Sequence, residues 1–306
     1  MFSRVNLLAI VALMLGLAAI PFQVIAGIPA MALGYVAIRQ IHMDNQVQKG
    51  IVPAVLGMFL GAVGCAMTVL GFVFVSFGAL WENSARVNCT NNLRFLGRAT
   101  MAYHDLKGVF PKACQKQPSL PPESRLSWLT NVEYDTLSGK NLSSDRWAFQ
   151  EGKSWEDDLN RKAGGFRVGT FVCPASGRSS VVSGTFCTNY VGQSGLGKDS
   201  PMLPGEHERA GFMGFERSLK RDDISRGTSE LLMMIETDCD LGHWIAAGRP
   251  TLRHLEKTTD CIGPGKAFGG MHSHGANTLM ADGASRFVSE KISPVVFEAM
   301  FLLNAK

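Results

Sequence analysis

The stretch Phe72–Pro111, FVFVSFGALWENSARVNCTNNLRFLGRATMAYHDLKGVFP, decides the fold that the sequence predicts. Its first ten residues carry no charge, whereas the remainder is polar, with apolar side chains that recur at roughly helical spacing. Gly108 followed by Pro111 is a typical signal that ends a helix. The pattern therefore predicts one helix that passes from an apolar into an amphipathic segment and ends near Lys107. The apolar positions of the amphipathic segment are Val87, Leu93, Phe95, Leu96, Met101, Tyr103 and Leu106.

Charged side chains are distributed very unevenly along the 306 residues. Of the 30 basic and 26 acidic residues, only four lie in the first 81 positions: Arg4, Arg39, Asp44 and Lys49. This asymmetry predicts two domains, a transmembrane anchor over residues 1–81 and a water-soluble domain over residues 82–306. The net charge of +4 is small, and no run of Lys and Arg is interleaved with aromatic residues. We therefore expect no nucleic-acid partner.

The anchor contains two apolar stretches, Val5–Ile38 and Ile51–Trp81. Each exceeds the roughly 20 residues that a membrane-spanning helix needs. A signal peptide has a much shorter apolar core, so we expect both stretches to be retained as helices in the lipid bilayer. The alternative is a pair of helices buried in a protein core. Pro21 and Pro29 interrupt the first stretch, which is compatible with one kinked span or with a span followed by a shorter interfacial segment.

The polar loop between the two stretches, residues 39–50, indicates the orientation in the membrane. It carries Arg39 and Lys49, and loops with an excess of basic residues stay in the cytoplasm. The prediction is a two-span protein of the inner membrane whose C-terminal domain is extracytoplasmic, in the periplasm.

Cysteine usage agrees with this orientation. Cys65 lies in the second apolar stretch, and the six other cysteines all lie in the soluble domain. An even number of cysteines in an oxidising compartment predicts disulfides. Six cysteines allow fifteen connectivities, of which the simplest joins neighbours: Cys89–Cys114, Cys173–Cys187 and Cys239–Cys261.

The rest of the soluble domain changes pattern along its length. Residues 127–137 and 153–160 favour short helices, and Pro294–Leu303 favours a closing helix. From Val168 onward, short apolar runs separated by Gly and Ser are typical of short strands. The predicted fold class is therefore α+β: two transmembrane helices, the second continuing into a long spine helix that packs on a small antiparallel sheet with long loops.

Several ordered motifs of the soluble domain resemble one family. They are CTNNLRFLGRATMAYHDLKGVFP, LSWLTNVEYDTL with SWEDDLN, TFVCPAS with TNYVG, and DDISRGTSELLMMIET, followed by His272 and, after nine residues, Asp282-Gly283. The chain is similar to a large group of pseudopilin-like membrane proteins, of planctomycete type, named for this H-x9-DG motif (domain of unknown function 1559). The resemblance covers Ala85 to the C-terminus and implies a spine helix of the kind found in type IV pilins.

The resemblance implies a non-enzymatic role, as a structural or accessory component of a type II secretion-like, surface-filament or adhesion system. Its partners would be other envelope or pseudopilin-like proteins. A competing hypothesis is an extracytoplasmic receptor that binds a ligand or metal. Unlike typical members, the chain shows no prepilin signal, and its first 80 residues resemble a two-span module (domain of unknown function 4190) instead. We therefore do not expect assembly into a pilus.

The segment GGMHSHGANTLMADGASRFV, Gly269–Val288, holds the most suggestive polar residues. An Asp-Gly pair between two apolar runs is a strong β-hairpin signal. In this interpretation Gly283 supplies a positive φ, Asp282 accepts local backbone hydrogen bonds, and His272 is a polar anchor of the hairpin.

The alternative interpretation of the same segment is a metal site. Two histidines separated by one residue on a strand point to the same side, which would suit zinc. The ligands would be His272, His274 and Asp282, joined by Asp238 or Asp240. Beyond the two histidines, the sequence does not fix a third metal ligand. It also offers no nucleophile with a paired base, as a catalytic site would need. We therefore predict a structural motif at His272, Asp282 and Gly283, with no catalytic residue and no cofactor.

Overall fold

The structure is a computed structural model that describes residues 6–43, 49–137, 149–176, 181–182, 184–256 and 260–304. The chain forms two compact units, Met1–Trp81 and Glu82–Lys306, which we call the anchor and the head. The middle of the predicted cytoplasmic loop, residues 44–48, lies outside the described residues.

The anchor contains helix α1, Leu7–Met43, and the first part of helix α2, Ile51–Lys107. Both helices are long and apolar enough to cross a membrane. Helix α1 is kinked at Gln23, where φ is 46°, between its two prolines Pro21 and Pro29. A proline inside a helix removes a backbone hydrogen bond and crowds the preceding turn. The first apolar stretch therefore consists of two helical parts that meet at a kink.

Glycines let the two anchor helices approach each other closely. A Cβ atom at Gly16 would lie 2.6 Å from the carbonyl oxygen of Gly57, and one at Gly27 would lie 2.7 Å from that of Gly61. Large side chains such as Phe74, which is 81% exposed, face away from the contact. Small residues inside and large apolar residues outside are the arrangement expected of helices that pack in lipid.

Among the described residues, the head combines the second part of α2 with three further α-helices and seven β-strands. The helices are α3 (Trp128–Leu137), α4 (Asp158–Ala163) and α5 (Pro294–Met300). The strands are β1 (Val181–Val182), β2 (Thr185–Phe186), β3 (Tyr190–Leu196), β4 (Leu232–Glu236), β5 (Leu252–Leu255), β6 (Gly275–Met280) and β7 (Ser285–Ser289). This is the α+β fold that the sequence predicts, with α2 running without interruption to Lys107.

Five strands form the main sheet in the order β5-β3-β4-β6-β7. The prediction of an antiparallel sheet is wrong for one pair of strands, because β5 pairs with β3 in parallel. The chain reverses direction between β3 and β4, which pair antiparallel. It reverses again before β5, which lies on the other edge of β3 and therefore runs parallel to it.

Helix α2 covers one face of this sheet. Leu93 and Leu96 of α2 are buried in the same cluster as Leu279 of β6. A Cβ atom at Gly97 would lie 3.0 Å from Leu279 Cδ1, so the helix and the sheet are in close contact at this point. Glycine in a helix interior costs roughly 0.5–1 kcal/mol relative to alanine, and this close approach explains its presence.

The opposite face of the sheet is covered by α5. Phe297 and Phe301 pack with Phe268, with ring centroids 6.0 Å and 5.4 Å from the Phe268 centroid. Val288 of β7 is buried in this second cluster. The neighbouring Phe287 is half-buried and faces α2, where the Arg86 guanidinium lies 3.4 Å from its ring centroid. The sheet thus lies between two apolar layers, and its polar residues need partners inside the protein.

Candidate functional site

The β6–β7 hairpin has the turn geometry expected for an Asp-Gly pair. The Asp282 carboxylate accepts a hydrogen bond from the Ala284 backbone N–H at 2.8 Å. Gly283 has φ of 85°, a conformation that favours glycine, and its N–H donates to the Met280 carbonyl at 2.9 Å. Asp282 is therefore committed to the turn, and its contact is with the backbone of the hairpin itself.

His272 precedes β6 and is 4% exposed. Its Nδ1 lies 3.3 Å from Glu82 Oε1, at the start of the head part of α2. Its Nε2 lies 3.6 Å from Glu236 Oε1 at the end of β4 and 3.4 Å from Cys173 Sγ. His272 thus joins three segments that are distant in sequence. We call His272, Glu82, Glu236 and the two bonded cysteines Cys89 and Cys173 the His272 cluster.

The candidate ligands of the alternative interpretation, a metal site, do not come together. His274 has φ of 67°, because residues 272–275 form a turn that brings His272 opposite Gly275 instead of an extended strand. Its side chain is 83% exposed and contacts Glu290 at 3.2 Å. The two histidines therefore lie in different environments, one buried and one in solvent. Asp240, a further candidate, pairs with Arg249.

Cys89 and Cys173 form a disulfide with Cα atoms 5.4 Å apart. This pairing corrects the predicted connectivity, because it uses one partner from each of the pairs Cys89–Cys114 and Cys173–Cys187. Cys114 and Cys239 carry free thiols, so the pair Cys239–Cys261 is also not formed. The pairing is determined by tertiary contacts. Helix α2 places Cys89 beside the segment that precedes β3, whereas Cys114 lies beyond the end of the helix and forms a backbone β-bridge with Ser127.

Glu236 is fully buried and held in place by Asn277. The Asn277 backbone N–H donates to Glu236 Oε2 at 2.7 Å, and the Asn277 side-chain amide donates to Oε1 at 3.1 Å. Thr90 of α2 in turn donates to Asn277 Oδ1 at 3.2 Å. A buried carboxylate is stable only when its oxygens are satisfied, and this network satisfies both oxygens of Glu236.

The electrostatics of the cluster favour a protonated His272. Burial lowers the pKa of His272, but the hydrogen bond and negative charge of Glu236, together with those of Glu82, outweigh it and raise the pKa above its ordinary value. Burial, followed by the charge of Glu236, raises the pKa of the nearby Tyr190. Its hydroxyl therefore stays neutral and accepts a hydrogen bond from Asn92 of α2 at 3.3 Å.

His272 is a predicted site residue, whereas its two carboxylate partners, Glu82 and Glu236, were not predicted. Glu236 carries a recognisable signal, because it is an acidic residue at the end of LLMMIE, a run otherwise wholly apolar and wholly buried. Such a residue needs a buried partner. Glu82 carries none, because nothing in its local sequence distinguishes it from the other charged residues that follow the apolar stretch.

A family model described as "Protein of unknown function (DUF1559)" matches residues 82–260, more than half of the chain. The chain belongs to this family. The match begins at Glu82, the first residue of the head, and includes Glu236, Cys89 and Cys173. The H-x9-DG segment and the two-span module lie outside the residues that the DUF1559 model matches. No curated protein and no solved structure matches the sequence.

Proposed function

We propose that this DUF1559 protein is a non-enzymatic, membrane-anchored envelope protein that acts by binding other envelope proteins through its head. In this proposal it is a structural or accessory component of a secretion, surface-filament or adhesion system. The observation that supports the proposal is that His272 and Glu236 are buried and engaged by protein groups. Together with Glu82, 3.3 Å from His272, they join α2 to the sheet, as expected of residues with a structural role.

Two features support an extracytoplasmic head. The loop between the apolar helices carries basic residues, which favour the cytoplasm for that loop. The Cys89–Cys173 disulfide is the kind of bond that persists in an oxidising compartment. With two spans, an anchor in the inner membrane then places residues after Trp81 in the periplasm.

The head also offers an apolar surface suited to a protein partner. On α5, Val295 is 76% exposed and Val296 is 54% exposed, while Phe297 on the same helix is buried. Exposed apolar residues beside a packed layer are typical of interaction surfaces when they cluster.

Photo-crosslinking in native envelopes tests the proposal. A photoreactive amino acid at Val295 should give discrete crosslinks to envelope proteins of pseudopilin type. The control is the same amino acid at the exposed Lys116, in the segment between α2 and α3, where we expect no such bands. Equal patterns at both positions, or crosslinks to lipid alone, would argue against a protein-binding head.

A second candidate function is ligand binding in the head. A cavity of about 550 Å³ is lined by acidic side chains and by Arg217, whose buried guanidinium donates to the carbonyls of Leu203 and Ser194 at 2.5 Å and 3.0 Å. Its acidic lining residues are Glu206, Glu216 and Asp223. This lining favours a small organic cation. Thermal stabilisation by a polyamine that is lost in Glu206→Gln would support it, and no stabilisation would exclude this class of ligand.

A further inference from the structure

The His272 cluster holds four groups that are all good ligands for a transition metal. One ligand atom each from Cys89, Cys173, Glu236 and His272 lie within 4.8 Å of one another, and all four residues are buried. In the oxidised protein the two sulfur atoms are bonded to each other, so they are not available to an ion. Reduction would turn the same four residues into two thiolates, one carboxylate and one imidazole.

We propose that, once its disulfide is reduced, the head binds one zinc-like divalent ion through Cys89, Cys173, Glu236 and His272. Cys89 and Cys173 then have two mutually exclusive states: they are bonded to each other in a disulfide, or they bind the metal ion as thiolates. Two sulfur, one nitrogen and one oxygen ligands form a donor set that zinc accepts in tetrahedral sites. This inference goes beyond the proposed function and does not depend on it.

The spacing of the ligand atoms fits a tetrahedral ion. With metal–ligand bonds of about 2.0–2.3 Å, neighbouring ligand atoms lie roughly 3.3–3.8 Å apart. His272 Nε2 is already 3.4 Å from Cys173 Sγ and 3.6 Å from Glu236 Oε1. The other ligand atoms lie within 4.8 Å of one another. The two sulfur atoms must separate to bind an ion, and their Cα atoms are 5.4 Å apart.

Residues around the four ligands are arranged as around a metal site. Metal-binding histidines usually donate their other ring N–H to a carboxylate, which fixes the ring and its tautomer. Glu82 accepts from His272 Nδ1 at 3.3 Å, which leaves Nε2 directed at Cys173 and Glu236. Asn277 holds Glu236 with two hydrogen bonds. Glu82 and Asn277 are therefore positioning residues of the proposed site.

The change between the two states balances with a dithiol reductant. The reductant transfers two electrons and two protons to the Cys89–Cys173 bond, which breaks to give two thiols, and the reductant becomes a disulfide. The divalent ion then replaces the two thiol protons and, where His272 is protonated, the proton on Nε2; all of these protons are released to solvent. The His272 imidazole binds through the Nε2 lone pair, with its remaining proton on Nδ1 facing Glu82.

Cobalt is a suitable probe, because tetrahedral Co²⁺ with thiolate ligands has a characteristic absorption spectrum. The full-length protein in detergent micelles would be reduced with dithiothreitol, freed of reductant without oxygen, and titrated with Co²⁺. We expect one equivalent with thiolate-to-cobalt charge-transfer and tetrahedral d–d bands, and no such bands in the oxidised protein. Zinc should displace the cobalt and abolish the bands.

Variants identify the ligands and the positioning residue. The bands should be lost in Cys89→Ser/Cys173→Ser and weakened in Glu236→Gln, while Glu82→Gln should lower affinity by roughly 10–100-fold. Cys114→Ser/Cys239→Ser is the matched control and should bind as the wild type does. The proposal is overturned if the reduced wild type binds no Co²⁺, or if Cys89→Ser/Cys173→Ser keeps the thiolate bands. Near-ultraviolet circular dichroism of each variant would show that loss of binding occurs in a folded head.

Discussion

Replacing both Cys89 and Cys173 by alanine should strongly destabilise the head. The bridge joins residues 84 positions apart and ties α2 to the segment before β3. Loss of the constraint that a bridge of this span places on the unfolded chain costs about 4.5 kcal/mol on a chain-entropy treatment. Whole domains are stable by roughly 5–15 kcal/mol, so this bridge supplies a large fraction of the stability. For a domain of this size the melting temperature should fall by about 10–15 °C.

The assay is thermal unfolding of the full-length protein in detergent micelles, with a chelator present to exclude metal. Trp128 and Trp244 are fully buried in the head, so tryptophan fluorescence reports its unfolding. The reduced wild type should have the same melting temperature as the double variant. The free energy of unfolding of Cys239→Ala should lie within about 0.5 kcal/mol of that of the oxidised wild type. A double variant that melts within about 2 °C of oxidised wild type would refute the reasoning.

Three further predictions concern the packing around α2. His272→Ala should destabilise the head by about 3 kcal/mol, because it leaves the buried Glu236 carboxylate without its charged partner. His274→Ala, at an exposed position, should change the free energy of unfolding by less than about 0.5 kcal/mol; equal effects of the two substitutions in chemical denaturation would contradict the assignment. Because the pKa of His272 is raised in the folded state, its stabilisation is fully present below its unfolded pKa of about 6.5 and is lost as the pH rises through the folded value. The difference in melting temperature between wild type and His272→Gln should therefore shrink on the alkaline side, and a difference that grows there would be inconsistent with a protonated His272. Gly97→Leu should lower the free energy of unfolding by about 1–3 kcal/mol, because the new side chain forces Leu279 away from α2. Gly169→Ala should change it little, because the added atom meets nothing within 4 Å. Equal melting temperatures of the two variants would show that α2 and Leu279 are not in close contact.

Features determined by local sequence were predicted well. The uninterrupted α2 follows from a long apolar stretch with helical spacing after it, ended by Gly108. The hairpin follows from Asp282-Gly283, because an Asp-Gly turn needs only its own backbone and side chain. The helix α3, Trp128–Leu137, coincides with a predicted short helix. The α+β class followed from the same signals.

Features that depend on distant contacts were not predicted. The Cys89–Cys173 disulfide and the parallel pairing of β5 depend on how α2 and the sheet pack. Cysteines that are neighbours in sequence have no physical advantage in pairing once tertiary contacts form. The expectation that His272 and His274 lie on a strand and point to the same side was wrong. His274 has a positive φ, which directs its ring into solvent. Glu82 could be recognised as a partner of His272 only in three dimensions.

Mass spectrometric mapping of cysteines in protein taken directly from native membranes tests the account most directly. Free thiols would be alkylated under denaturing conditions without reductant, and the digest analysed for linked peptides. The account predicts a Cys89–Cys173 linked peptide, with Cys114 and Cys239 alkylated. Alkylation of both Cys89 and Cys173 would contradict the proposal that the head lies in an oxidising compartment, and a link from either to another cysteine would contradict the fold of the head.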